Sequence, residues 1–260
     1  MPAKILFTDI ETTEIINRYV NGAPLRYLAN EYDVDPCVIK RIVQSRNVQL
    51  RSYSENNTRY NKNPNLFDCD TEEGAYWTGF IAADGCIMGE RNTISLNLNK
   101  LDYTHLLKYQ LYIGMEIPIL SYKDSRYIRL TDHLAVERLI ENGITKNKTF
   151  TLTISDKIKN NRHFWRGFID GDGCWCFDSR TDNLLFKIMV GSPCIVEQLY
   201  SFCVSIGIQS KAKPILSKGK YPSLYYSGKW AKVLAHTLYD NNIISLTRKE
   251  ERATRGVNHG

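Results

Sequence analysis

The stretch FWRGFIDGDG, residues Phe164–Gly173, has a weaker second copy in YWTGFIAADG, residues Tyr76–Gly85. Aligned on the final Asp-Gly, both copies carry a Trp, a Gly two residues later, then Phe-Ile, and then an Asp. That Asp is Asp84 in the first copy and Asp172 in the second. Each copy has the pattern of an apolar helix with small residues one turn apart, ended by a Gly.

The small residues predict close contact between the two helices. They are Gly79 and Ala83 in the first copy and Gly167 and Gly171 in the second, and such a seam lets two backbones approach. The two Asp side chains would then lie together at the negative ends of two helix dipoles. Because unpaired carboxylates repel each other, this arrangement predicts a divalent cation between them. The alternative interpretation is a pair of ordinary buried helices with capping Asp residues.

The two segments resemble the signature helices of LAGLIDADG homing endonucleases, in the form that carries both motifs on one chain. In that family the two helices form the interface between half-domains. The resemblance implies that Asp84 and Asp172, with Gly85 and Gly173 beside them, hold the catalytic metal ions. It also implies magnesium as the cofactor, with two or more ions bound, and Mn²⁺ or Ca²⁺ able to substitute for binding.

The sequence after each motif predicts the same order of elements: helix, two strands, helix, two strands, helix. Strand Thr93–Asn99 alternates apolar and polar residues, as a half-buried strand does, and 212–217 and 223–227 are predicted strands of the second copy. The repeat of motif and pattern indicates a tandem duplication. We therefore predict an α+β fold in which tandem αββαββα repeats form a pseudo-twofold saddle of two antiparallel sheets, preceded by a small all-α helix-turn-helix domain.

The N-terminal residues 13–46 predict three short helices. The string RYLANEYDVDPCVIKRIV resembles the helix-turn-helix of resolvase-like and transposase-like proteins. Its third helix would present polar and basic side chains to DNA, and the predicted contacts are Lys40, Arg41, Gln44 and Arg46. A three-helix packing module that touches no DNA is the alternative.

The predicted domain organisation has four segments. They are a helix-turn-helix domain (1–47), a linker or basic arm (48–65), a first half-domain (66–149) and a second half-domain (150–260). The linker is polar and aperiodic, and its Arg51 and Arg59 are candidates to follow a phosphate backbone, although a solvated coil is as compatible with the composition.

The composition favours a soluble intracellular protein with a polyanionic partner. Of 260 residues 43% are hydrophobic, but no apolar run is long enough for a signal peptide or a membrane span. We expect a cytoplasmic protein if the chain is prokaryotic or phage-encoded. The net charge is +6, and residues 150–260 carry sixteen basic against nine acidic side chains. The seven Cys form no CxxC pair, so a structural zinc is not expected.

The polar faces of the two predicted sheets would together form a trough for a DNA duplex, with the strands in the major groove. The candidate DNA contacts of this part of the chain are Ser95, Asn97, Asn99, Arg129, Lys187, Lys211, Lys213, Tyr225 and Lys249. Because the two halves differ in sequence, we expect a long asymmetric target and a monomeric protein.

The resemblance further implies basic residues near the scissile phosphates. By position in the repeat these are Lys148 in the first half and Arg248 or Lys249 in the second, of which Arg248 is taken as catalytic. Lys100 follows a strand where the family places a polar residue that orients water, and its counterpart lies near Ser192.

The function predicted from the sequence is that of a sequence-specific double-strand DNA homing endonuclease. As the resemblance implies, it would hydrolyse phosphodiester bonds on both strands, leave short 3′ overhangs and serve intron homing. The alternatives are a cleavage-deficient DNA-binding regulator of the same fold, an RNA intron-splicing maturase, or a nickase if the half that carries Ala82 is impaired.

Overall fold

The computed structural model describes residues 7–21, 23–51, 63–89, 92–114, 117–216 and 221–258. The chain divides into two compact units, Met1–Asn61 and Lys62–Gly260. Both predicted half-domains therefore belong to one unit, with a shared core, and the N-terminal helices form the other. The predicted contact residue Arg59 lies outside the described residues.

The N-terminal unit contains the three predicted helices, which are α1 (Asp9–Val20), α2 (Leu25–Glu31) and α3 (Pro36–Ser45). The carboxylate of Asp35 caps α3 by accepting the N–H of Cys37 at 2.7 Å, with Pro36 at the first helical position. Between α2 and α3 the chain turns at Asp33, whose φ of 49° lies in the left-handed region. The core of this unit consists of Ile15, Tyr19, Leu28, Ala29, Ile39 and Val43.

The second unit is built around the two motif helices, α4 (Glu72–Asp84) and α7 (Arg162–Asp172). Their closest approach is at the two glycines predicted for this purpose. A Cβ added to Gly79 would lie 2.0 Å from the carbonyl oxygen of Phe164, and one added to Gly167 would lie 1.9 Å from that of Tyr76. The contact is reciprocal, so the helices are related by a local twofold, and neither glycine position has room for a side chain.

The first half-domain follows the predicted order of elements. After α4 come β1 (Gly85–Met88), β2 (Thr93–Asn99), a 3-10 helix (Lys100–Asp102), α5 (Tyr103–Ile113), β3 (Leu120–Tyr122), β4 (Ser125–Thr131) and α6 (His133–Glu141). The four strands form an antiparallel sheet in the order β1-β2-β4-β3.

The second half-domain departs from the prediction in two places. A 3-10 helix (Lys148–Phe150) precedes α7, which is followed by β5 (Gly173–Phe177), β6 (Leu184–Met189), α8 (Pro193–Ser205), β7 (Ser223–Ser227), α9 (Lys229–Tyr239) and α10 (Thr247–Asn258). The described sheet is antiparallel with the order β5-β6-β7. The strand predicted at 212–217 is, in its described part, only a bridge between Ile215 and Ser223, and α10 was not predicted.

Both sheets bury one face against the helices and expose the other. In β2 the side chains of Ile94, Leu96 and Leu98 are buried, whereas Asn97 and Asn99 are exposed. This alternation confirms the predicted α+β architecture of two antiparallel sheets with a solvent-facing surface on each. None of the helices among the described residues is both long and apolar enough to cross a membrane.

Candidate metal and nucleic-acid site

The two motif carboxylates lie together at the ends of the paired helices. Asp84 is the last residue of α4 and Asp172 the last of α7, and each is followed by the Gly that begins a strand. A Cβ added to Gly171 would lie 2.3 Å from the Cβ of Ala83 and 3.4 Å from Oδ2 of Asp84, so the two helix ends converge. Asp84 and Asp172 are both exposed residues.

The pKa values of both carboxylates are raised by their surroundings. Incomplete hydration raises the pKa of both side chains. The negative charge of Asp84 adds to this effect at Asp172, whose pKa rises to about 6, while the ammonium groups of Lys249 and Lys148 oppose the shift. A positive charge placed between the carboxylates would relieve this repulsion.

Two lysines bind the ends of the motif helices in a related way. Nζ of Lys148 donates to the carbonyl oxygen of Gly85 at 2.5 Å. Nζ of Lys249 donates to the carbonyl oxygens of Gly171 at 2.7 Å and Ile169 at 3.1 Å. Each ammonium group thus satisfies helix-terminal carbonyls and counters the dipole of its helix. Burial lowers the pKa of both lysines, and the nearby carboxylates partly offset this.

Of the two candidates for the second basic residue, Lys249 and not Arg248 reaches the end of a motif helix. Arg248 forms a two-pronged ion pair with Asp102, with Nε at 2.7 Å and Nη2 at 2.9 Å from the carboxylate oxygens. Lys249, expected on the DNA-facing surface, is only 6% exposed and is the lysine that reaches the end of α7. The second basic group at the carboxylates is therefore Lys249, and Arg248 joins α10 to the first half-domain.

Lys100 also has a partner away from the carboxylates. Its Nζ lies 2.7 Å from Oδ1 of Asp124, and both side chains are well exposed. Its expected counterpart, Ser192, is buried and donates its hydroxyl to the carbonyl oxygen of Leu152 at 2.7 Å. Gly85, the residue after Asp84, is opposite Leu96 in the register of the sheet, and Asn97 is the next residue along β2.

Asp170 and Arg166 have the structural surroundings predicted for them. The carboxylate of Asp170 is fully buried and accepts hydrogen bonds from the Tyr76 hydroxyl at 2.8 Å, the Tyr239 hydroxyl at 2.6 Å and the Leu246 N–H at 2.7 Å. Burial raises its pKa, and these hydrogen bonds oppose the shift. Arg166 is also fully buried. These residues join the two halves beneath the site.

The predicted sheet contacts lie on the exposed faces. Ser95 is paired with Arg129 across β2 and β4, and Lys187 with Tyr225 across β6 and β7. Asn97, Arg129, Lys187, Lys211, Lys213 and Tyr225 are exposed, whereas Ser95 is half-buried. Asn99 is exposed but caps the following 3-10 helix, accepting the N–H of Leu101 at 3.0 Å.

In the N-terminal unit four predicted contact residues are exposed on or just after α3: Lys40, Arg41, Gln44 and Arg46. Arg46 pairs with Asp9 at 3.1 Å. Arg51 does not extend away as an arm. Its guanidinium lies 4.2 Å from the centre of the Tyr19 ring and donates to the carbonyl oxygen of Ala23 at 2.5 Å. Arg51 therefore packs against the helices of the N-terminal unit.

The donor atoms at the helix ends fit a magnesium ion. Carboxylate and carbonyl oxygens are hard ligands, which magnesium prefers, and it commonly uses one or two carboxylates together with water and substrate oxygens. No group of three or more His, Cys, Asp and Glu suited to hold a metal occurs in the part of the chain that the structure describes. A metal at Asp84 and Asp172 would therefore complete its coordination from backbone, water and substrate.

The fold is that of LAGLIDADG homing endonucleases, with both motif helices on one chain. The structure of the homing endonuclease I-WcaI, bound to its DNA recognition sequence, superimposes with a TM-score of 0.51 at 16% identity, covering 69% of this chain and 85% of that one.

Two further structures are similar. They are the meganuclease I-SmaMI bound to uncleavable DNA (TM-score 0.48, 12% identity, 70% of this chain and 88% of that one) and the LAGLIDADG meganuclease I-AabMI bound to uncleaved DNA (TM-score 0.47, 16% identity, 71% and 88%). No family model matches the sequence, and a search of curated protein sequences gives no match.

Proposed function

We propose that the chain is a sequence-specific, divalent-metal-dependent endonuclease that cuts both strands of a DNA duplex. The observation that supports this best is the convergence of two carboxylates and two lysines at the ends of α4 and α7. A structural pair of capping Asp residues would not need to crowd Asp84 against Asp172, because their charges repel. The fold is shared with I-WcaI, which is described as a DNA-bound homing endonuclease.

The chain's own groups would act as follows. Asp84 and Asp172 would hold magnesium, which when bound supplies an activated water, charge neutralisation at the phosphoryl oxygens and stabilisation of the leaving oxygen. Lys148 and Lys249 keep positive charge next to the carboxylates and fix the two helix ends that carry them. A buried ammonium group in this position favours the negative charge that develops on a phosphate during hydrolysis.

The substrate class follows from the exposed sheet faces. Arg129 and Lys187 offer positive charge to phosphates, and Asn97 and Tyr225 offer hydrogen bonds to base edges. The two sheets differ in these side chains, so the preferred target is asymmetric. We further propose that α3 of the N-terminal unit contacts DNA on one flank of the target, through Lys40, Arg41 and Gln44.

The test is cleavage of a duplex that spans the uninterrupted home locus, with the ends mapped on both strands. We expect a defined staggered break with magnesium, which is lost with EDTA and in Asp84→Asn or Asp172→Asn. DNA binding should survive in both variants, because each removes a negative charge that faces DNA. Tight binding without cleavage under magnesium and manganese would contradict the proposal and favour a regulator or an RNA maturase, to be tested next with RNA.

A further inference from the structure

Two thiols lie side by side on the exposed face of β5. Cys174 and Cys176 are two residues apart in this strand, so their side chains point to the same face of the sheet. Both are free and exposed. Partial desolvation and the hydrogen-bonded thiol of Cys174 raise the pKa of Cys176, so the two sulfurs are close neighbours. No other two cysteines of the sequence are two residues apart. The strand β5 therefore presents a dithiol to solvent.

The geometry of a strand does not suit a direct disulfide between these thiols. Residues two apart in a strand have Cα atoms about 6.7 Å apart, at the upper end of the usual disulfide range of about 4.4–6.8 Å. Their Cα–Cβ bonds are nearly parallel and do not converge. A disulfide would therefore bend β5 and disturb the pairing of Cys174 with Lys187 and of Cys176 with Leu185. An atom bound between the two sulfurs spans a longer distance and leaves the strand intact.

A cavity beside the dithiol has room for an organic group. Its volume is about 540 Å³, and it is lined by residues of β5 and α10, which are Trp175, Cys176, Phe177, Glu251, Arg252 and Arg255. The guanidinium of Arg255 lies 5.0 Å from the centre of the Phe177 ring. Because part of this lining is aromatic, a small aryl group attached to the thiols could pack there.

The dithiol also lies among cations of the exposed sheet face. Cys174 is opposite Lys187 in the pairing of β5 with β6. The charges of Arg252 and Lys187 both act on the Cys176 thiol and oppose the rise of its pKa, so this thiol is close to both side chains. Lys187 is one of the residues proposed to contact phosphates. A group bound to the thiols would therefore occupy surface that DNA needs.

Trivalent arsenic has the chemistry that two neighbouring thiols can satisfy without further ligands. An arsenic(III) oxide with one organic substituent reacts with two thiols, forming two As–S bonds and releasing its oxygen as water, with no change in oxidation state. Soft thiolate ligands favour such thiophilic elements. Zinc, by contrast, takes about four ligands, and no group of three or more His, Cys, Asp and Glu suited to a metal occurs among the described residues.

We propose that Cys174 and Cys176 form a binding site for trivalent arsenicals that carry one organic group, with this group in the cavity beside α10, and that an occupied site blocks DNA from the second half-domain. Binding of the arsenical is independent of any cleavage activity. Its effect on DNA rests on the proposed endonuclease function.

The test of the site uses the reduced full chain and phenylarsine oxide, with bound phenylarsenic groups counted by native mass spectrometry. We expect one group per chain that resists an excess of monothiol and is removed by a 1,2-dithiol, because the second As–S bond closes within the same molecule. Cys174→Ser and Cys176→Ser should each abolish this retention.

The equivalent strand β1 supplies matched controls. Cys86 and Met88 are exposed residues two apart in β1, as Cys174 and Cys176 are in β5. Cys86→Ser should leave the single retained phenylarsenic group in place. Met88→Cys creates a second dithiol with the same strand geometry, so this variant should retain two groups.

The effect on DNA is measured with a duplex selected from a randomised pool by its binding in Ca²⁺. Phenylarsine oxide should weaken binding of this duplex by about tenfold or more, the effect of losing one charge-assisted contact. At protein concentrations below saturation it should also slow cleavage in magnesium. The Cys176→Ser variant should bind and cleave as the wild type does and should be insensitive to the reagent.

The outcomes separate the two proposals. No retained phenylarsenic group, or retention that survives either serine variant, would overturn the dithiol site. One retained group with unchanged affinity for DNA would overturn the blocking of DNA and leave the endonuclease proposal standing. An untreated chain that binds the selected duplex without cutting it would overturn the endonuclease proposal and leave the arsenical site in place.

Discussion

Replacing Asp172 with Asn is expected to stabilise the metal-free protein at neutral pH while it abolishes cleavage. The pKa of Asp172 is about 6, against 3.8 for a free side chain, so its ionised form is disfavoured in the folded state. A pKa difference of this size corresponds to a change in the free energy of unfolding of about 3 kcal/mol at most. Because the side chain reaches solvent, screening reduces this to about 1 kcal/mol.

The sign of the pH dependence follows from the raised pKa. Protonation of Asp172 stabilises the folded state, and this contribution is complete below pH 3.8 and is lost as the pH rises through about 6. The Asp172→Asn variant has no carboxyl group to ionise at this position, so it does not lose this stabilisation as the pH rises. Its advantage should therefore be about 1 kcal/mol at pH 7.5, or about 3 °C in Tm, and should disappear near pH 4.

Thermal and urea unfolding in EDTA at pH 7.5, 6 and 4 provide the assay. All four Trp lie in the unit Lys62–Gly260, so Trp fluorescence reports the unfolding of that unit alone. Asp84→Asn should reduce the gain from Asp172→Asn, because the two charges repel each other. Magnesium at 100 times its Kd should stabilise the wild type by about 2.7 kcal/mol and reverse the order of stability.

Two results would refute this reasoning. A variant less stable than the wild type in EDTA at pH 7.5 would mean that Asp172 makes a favourable structural contact instead of an unfavourable charge pair. A gain of equal size at pH 4 and pH 7.5 would mean that the stabilisation does not come from the ionisation of this carboxyl group.

Further predictions concern the helix seam, the basic residues and the N-terminal unit. Gly79→Ala and Gly167→Ala should each destabilise the protein by about 3 kcal/mol in urea unfolding, because the added methyl overlaps the facing helix, whereas an unhindered Gly→Ala change in a helix stabilises. Lys249→Met should abolish cleavage with DNA affinity retained, whereas Arg248→Met should lower Tm and slow cleavage far less; equal effects on cleavage would contradict the assignment. Deletion of residues 1–47 should shorten the DNase footprint on one flank only, and a footprint unchanged on both flanks would remove α3 from the interface.

The pairing of the motif helices could be predicted from the sequence because it depends on local pattern. Small residues one turn apart, with the same aromatic and acidic neighbours in both copies, indicate one helix surface and its partner. The strand Thr93–Asn99 of the first sheet could also be predicted, because its apolar and polar residues alternate. The strand expected at 212–217 fails at Pro214, which has no N–H for the sheet and is a sequence signal against a central strand.

The choice between Arg248 and Lys249 could not be made from the sequence. The two residues are adjacent in α10, where neighbours point about 100° apart, so the direction of the whole helix decides which one faces the carboxylates. The repeat gives no help, because a shift of 88 positions, the separation of Asp84 and Asp172, leads from Lys148 to His236 in α9. The packing of α10 determines which of the two residues reaches the carboxylates, and the local sequence pattern did not predict this helix.

The same packing explains why Ala82 need not impair the first half of the site. Its counterpart, Asp170, binds the hydroxyls of Tyr76 and Tyr239 and the Leu246 N–H, so its carboxylate belongs to the interface and not to the metal ligands. Ala82 is itself buried and has no polar group that would need such partners. The absence of an Asp at position 82 is therefore not a physical reason to expect that the protein cuts only one strand.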